Sequence, residues 1–116
     1  MIKEAYCSIE TMHLLHKKGF DEELVNFCQR DTDNMSYECC THQLAMAWLR
    51  EKYYIHIDIV IEGNGSCIEY VYAIRDFSII FPTRNYDSIN IEFKGRANTY
   101  EEAVEAALLY SLENLV

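Results

Sequence analysis

Between Tyr53 and Arg75 isoleucines alternate with polar residues, stop at Asn64-Gly65, and give way to a second alternating run. Side chains of a strand point to opposite faces with period two, so Ile55, Ile57, Ile59 and Ile61 share one face while His56, Asp58 and Glu62 take the other. A two-residue Asn-Gly loop favours a type I′ turn, which pairs Ile61 with Ile68, Ile59 with Tyr70, Ile57 with Tyr72 and Ile55 with Ile74. The hairpin 53–75 is therefore apolar on one face and needs a helical cover. A third strand over 88–94 follows from Ile89, Ile91 and Phe93 alternating with Asn90, Glu92 and Lys94.

Helical spacing supplies the cover. Ser8 caps a helix over 8–18 with apolar Ile9, Met12 and Leu15, and Lys17-Lys18-Gly19 with Phe20 just beyond is a stop signal. Thr41 caps a helix over 41–52 whose apolar face is Leu44, Ala45, Trp48 and Leu49. The capping box Thr99-Tyr100-Glu101-Glu102 opens a helix over 99–115, with Ala103, Val104, Ala107, Leu108, Ser111, Leu112 and Leu115 as its apolar stripe. Residues 21–29 fit a helix or a strand, Arg30 to Glu38 reads as a polar loop, and Asp76 to Asp87 is irregular. The expected architecture is α+β: one domain over 1–116, two layers, an antiparallel three-stranded β-meander covered by helices 41–52 and 99–115, with helix 8–18 peripheral.

Composition narrows the setting. With 116 residues, 50% hydrophobic and one proline, the chain can bury a core without staples. A net charge of −9 with scattered cations disfavours nucleic acid as a partner. Five cysteines are an odd number, and Met1-Ile2-Lys3-Glu4 lacks the apolar stretch of a secretory signal, so reduced thiols in a cytoplasmic protein are expected. The apolar runs are too short to span a bilayer.

Gln43-Leu44-Ala45 with Trp48-Leu49-Arg50-Glu51, and Tyr100-Glu101-Glu102-Ala103 with Glu105-Ala106-Ala107 and Leu112-Glu113-Asn114-Leu115, resemble a family of small uncharacterised proteins of gut Bacteroidales and their phages. The resemblance implies a small protein of phage or mobile-element neighbourhoods. It carries no catalytic or binding residue with it.

Chemistry-bearing residues are few. Cys39, Cys40 and His42, with His56 as a distant fourth, offer metal-ligand atoms but lack the paired spacing of a zinc knuckle. Glu10, His13 and His16 share a helix face, a pattern that four-helix metal sites use in duplicate and that otherwise marks a solvated face. No nucleophile elbow, phosphate loop or dinucleotide motif occurs. Helix, three strands, helix from Thr41 onward is the order of a double-stranded-RNA-binding domain, yet the start of the last helix is acidic where that class carries cations.

Two functional readings remain. In the first, the chain is a non-enzymatic interaction or regulatory protein without cofactor, meeting an unknown protein partner through an acidic surface. On a helical wheel Leu109 falls among Glu101, Glu105 and Glu113, opposite the core stripe, and these four residues are its expected contacts. The half-apolar outer hairpin face, with Val60, Val71, Ala73, Cys67 and Tyr54, is a second contact surface, and either could serve a homodimer. In the second, a small enzyme or ligand-binding protein uses a pocket between sheet and helices near Trp48, Tyr70 and Tyr72.

Overall fold

The structure, a computed structural model, describes residues 5–22, 26–29, 36–63, 67–77 and 91–116. Its elements are α1 (Ile9–Lys17), β1 (Asn26–Gln29), β2 (Ser36–Cys39), α2 (His42–Tyr53), β3 (Ile55–Gly63), β4 (Ile68–Asp76), β5 (Ile91–Ala97) and α3 (Tyr100–Asn114). β3, β4 and β5 form the antiparallel meander, and β1 pairs with β2 in a separate two-stranded ribbon. The α+β expectation holds. Residues 36–38, expected as the end of a loop, belong to the strand Ser36–Cys39, and the 21–29 ambiguity resolves to a strand over Asn26–Gln29. The Asn64-Gly65 turn, residues 78–87 and the start of the expected third strand lie outside the described residues.

The hairpin register is offset by two from the expected one. Ile61 pairs with Tyr70, Ile59 with Tyr72 and Ile57 with Ile74, and pairing closes at Gly63 opposite Ile68 rather than across a two-residue loop. A shift by an even number leaves every side chain on its expected face, so the inner face survives the error. The third strand runs three residues further than 88–94, and its register with β4 slips between Ile74 and Arg75.

The caps work as their sequences imply. Ser8, Thr41 and Thr99 accept from the backbone N–H groups of Thr11, Leu44 and Glu102. Beyond α1, Phe20 N–H donates to Leu15 O (2.9 Å) and Gly19 N–H to His16 O (3.2 Å), the paired bonds of a Schellman motif, with Gly19 at φ 97° where only glycine sits without strain. α2 passes into β3 through a single residue, Tyr54, at φ 59°.

Ala103, Val104, Ala107, Leu108, Ser111 and Leu112 of α3 are buried as expected, and Ser111 satisfies its hydroxyl on Ala107 O at 2.8 Å. Burying a leucine fully, as at Leu108 and Leu112, is worth about 1.5–3 kcal/mol. α1 is not peripheral: Met12 and Leu15 are buried with this core, because α1 packs on the side of α3 away from the sheet. Leu44 sits at the rim of α2 rather than in its apolar face, where Ala45, Met46 and Leu49 are buried beside Trp48. The helices cover only the root of the hairpin. Ile55 is buried and Ile57 and Ile59 partly so, but Ile61 and Ile68 are 62% and 67% exposed beyond the helical layer.

On the inner face, Tyr72 lies across Gly95 so closely that a Cβ there would meet its ring and hydroxyl at 2.3 Å. A buried tyrosine in close contact cannot move aside freely, so Gly95→Ala is expected to destabilise by about 1–3 kcal/mol through overpacking, read as a lower urea midpoint with unchanged slope.

Candidate functional site: a buried thiol, imidazole and carboxylate centre under an acidic-rimmed groove

The site forms where the residues before α1 meet those before α2. Tyr6 and Thr41 make an isolated antiparallel bridge, with Cys7 N–H donating to Cys40 O (2.9 Å) and His42 N–H to Ala5 O (3.0 Å). This places Cys7 opposite Cys40. Extended alternation then sends Cys40 and His42 to the same side of their segment. Sγ of Cys7 lies 3.7 Å from Sγ of Cys40, which is itself 3.7 Å from Sδ of Met12.

Glu105 of α3 closes the arrangement. Its Oε1 accepts the Ser8 backbone N–H (2.7 Å) and faces His42 Nε2 (2.9 Å), and its Oε2 accepts the hydroxyls of Ser8 (3.0 Å) and Thr11. Because a carboxylate only accepts, Nε2 is the ring nitrogen that donates to it. Nδ1 is buried and meets no hydrogen-bond partner among the described residues. The carboxylate also sits at the N-terminus of α1, where a negative charge is favoured.

These contacts tune the acids. Burial pushes the Glu105 carboxyl upward, but the bonds from His42, Thr11 and Ser8 together outweigh it and hold the group below the usual glutamate range. The hydrogen bond with Cys40, burial and the nearby Glu105 charge all push the Cys7 thiol up, whereas the bond from Cys7 holds Cys40 below its ordinary value. Two thiolates 3.7 Å apart beside a carboxylate repel, so the pair keeps one proton firmly. Among the described residues, Cys7, His42 and Glu105 form the group whose metal-ligand atoms all lie within 4.8 Å of one another.

Above the centre runs a shallow groove of about 490 Å³. Ala5, Tyr6, Ala106 and Leu109 give it apolar walls, Glu101 and Glu102 are exposed on its rim, and His42 and Glu105 reach its base.

The expected site residues therefore separate. Glu101 is exposed and Leu109 half-buried, both at the groove, whereas Glu113 is exposed but does not line it. Glu105 is half-buried at the groove, its oxygens taken up by Ser8, Thr11 and His42 rather than presented to solvent. The helical wheel assigned it to solvent because it allowed α3 one neighbour, the sheet, and α1 covers a second side. The Cys39, Cys40 and His42 grouping is split: Cys39 is disulfide-bonded, against the expectation of reduced thiols, and Cys7 takes its place beside Cys40. His56 is held by Asp58 (2.8 Å) in a separate cluster that Arg75 joins at 3.1 Å. Glu10, His13 and His16 are exposed on α1. On the outer hairpin face Val60, Cys67 and Tyr54 are exposed, but Val71 and Ala73 are buried and unavailable for contact.

The chain matches no protein-family model, no curated protein and no solved structure. Sequence reasoning missed Cys7, 33 residues from its neighbour Cys40. Ala5-Tyr6-Cys7 are all of apolar type and show no alternation, so the sequence carried no local signal for this pairing.

A depressed carboxylate stabilises the fold above its unfolded-state value and loses that contribution as pH falls through the lower folded value. Glu105→Gln is therefore expected to cost about 2 kcal/mol near neutral pH. That gap from the parent protein should close as pH drops below the ordinary glutamate value of 4.5, as followed by urea midpoints across the acid range.

Proposed function

We propose that the protein is a non-enzymatic interaction module whose groove receives a basic, apolar-tipped segment of a partner protein. The observation that carries this reading is the pairing of apolar walls at Tyr6, Ala106 and Leu109 with a carboxylate rim at Glu101 and Glu102. Among the lining residues there is no lysine or arginine, and the imidazole of His42 is engaged by Glu105. An apolar side chain flanked by lysine or arginine complements such a surface. A second copy of this chain, at −9, meets it with like charge, as does nucleic acid.

The enzyme reading finds less support. Cys7 and Cys40 are 0% and 1% exposed, so neither presents a nucleophile to substrate, and Tyr72 fills the space over Gly95 where a pocket between sheet and helices was expected. Trp48 is packed edge-on against Phe20 (5.5 Å) and Tyr53 (5.2 Å). No helix among the described residues is long and apolar enough to cross a membrane. The phage or mobile-element setting implied by the helix motifs suits a small protein that acts by occupying another.

Selection of a displayed random-peptide library on the immobilised protein is expected to return sequences with a large apolar residue between cations. Leu109→Lys, or Glu101→Lys with Glu102→Lys, should weaken the selected peptides at least roughly tenfold, about 1.4 kcal/mol, with an unchanged circular dichroism spectrum. Acidic selected peptides, or undiminished binding by both variants, would remove the proposal.

A further inference from the structure

β3 presents an open edge. It is an outer strand of the sheet, and among the described residues it pairs with β4 alone. Phe77 N–H donates to Tyr54 O at 2.9 Å, and these two residues stand opposite one another because the next pair is Ile55 with Asp76. In an antiparallel ladder such exchanges recur at every second residue, so His56, Asp58, Val60 and Glu62 bond to β4. The intervening Ile57, Ile59 and Ile61 turn their backbone N–H and C=O groups outward, away from β4.

That edge lacks the usual protection. Outer strands are kept from pairing by shortness, bulges, proline or lysine. The opposite edge, β5, has Lys94 and a register slip between Ile74 and Arg75 of β4, whereas β3 runs nine residues with no lysine, proline or break in its register. It also reaches past the helical layer, where Ile61 stands exposed.

We propose that the protein forms a two-fold dimer in which β3 pairs antiparallel with β3 of a second copy, joining two meanders into one sheet. The strand is self-complementary about Ile59, its middle residue. With the two-fold axis there, Ile59 exchanges backbone bonds with Ile59 of the second copy and Ile57 with its Ile61, the residues whose backbone groups face outward. On the outer face His56 meets Glu62 of the second copy, twice by symmetry, and Asp58, already engaged by His56 and Arg75, meets Val60. An axis at Asp58 sets Asp58 against Asp58, and one at Val60 sets Asp58 against Glu62, so both put carboxylates opposite one another. An axis at Ile57 or Ile61 leaves part of each strand unpaired. The axis at Ile59 is perpendicular to the sheet, so the root of one hairpin lies beside the tip of the other on the same face. Each exposed Ile61 is thereby set against Ile57 next to the other copy's helical layer, and apolar surface that one chain leaves in water is buried. β3 does not line the acidic groove, so the dimer does not rest on peptide docking.

The test combines sedimentation equilibrium with residue-resolved amide exchange by NMR on the full chain, at physiological salt to screen the −9 on each copy. At micromolar concentration the expected mass is twice the 13.6 kDa of the chain. The amides of Ile57, Ile59 and Ile61, open to water in a monomer, should exchange slowly. Ile61→Pro removes a donor aimed at the second copy and none aimed at β4. It should weaken the dimer at least roughly tenfold and release the Ile57 and Ile59 amides, while those of Asp58 and Val60 stay protected. Leu109→Lys should leave the mass unchanged, which separates this surface from the groove. A monomer up to millimolar concentration, or a dimer whose Ile57, Ile59 and Ile61 amides exchange freely, overturns the proposal. So does a dimer that Leu109→Lys dissolves and Ile61→Pro does not. Should the proline variant fail to fold, the wild-type mass and exchange pattern decide.

Discussion

The carboxylate of Glu105 is the constraint on which the arrangement of helices depends. Taking a charged carboxyl out of water is unfavourable unless its lone pairs are met, and here Ser8, Thr11 and His42 meet them from two other parts of the chain. α1 has nine residues, too few to persist as an isolated helix. Its first turn is instead held by an acid on α3, while the same acid holds the first residue of α2. The N-terminal ends of α1 and α2 are thus tied to α3 by one side chain, and Leu15 and Met12 of α1 lie in the core.

The sheet obeys a different constraint. Its inner face is continuous from Ile55 to Ile61, but α2 and α3 reach only part of it, and the root of the hairpin is where the packing is dense. Gly95 belongs to that dense region: without a side chain it lets Tyr72 lie flat across the neighbouring strand.

Much of this was legible in the sequence because it is local. Strand alternation placed Ile55, Ile57 and Ile59 on the inner face, and the serine, threonine and glycine caps marked the helix ends. The register was misread because it was taken from the Asn-Gly turn, whereas two-residue slips do not disturb the face and so leave no trace in the pattern. The functional centre was only half legible. Cys40 and His42, two apart in an extended segment, are visible as a pair, but their partners Cys7 and Glu105 come from the far ends of the described chain. A wheel drawn for one helix has no means of knowing that a second helix covers its outer side, which is why Glu105 read as surface.

The bond between Ser8 and Glu105 spans 97 residues. Bringing together chain points that far apart costs about 4 kcal/mol of loop-closure entropy if nothing between them is ordered. An ordered meander holds α3 in place and so shortens the effective loop between Ser8 and Glu105, which couples the stability of the centre to that of the sheet.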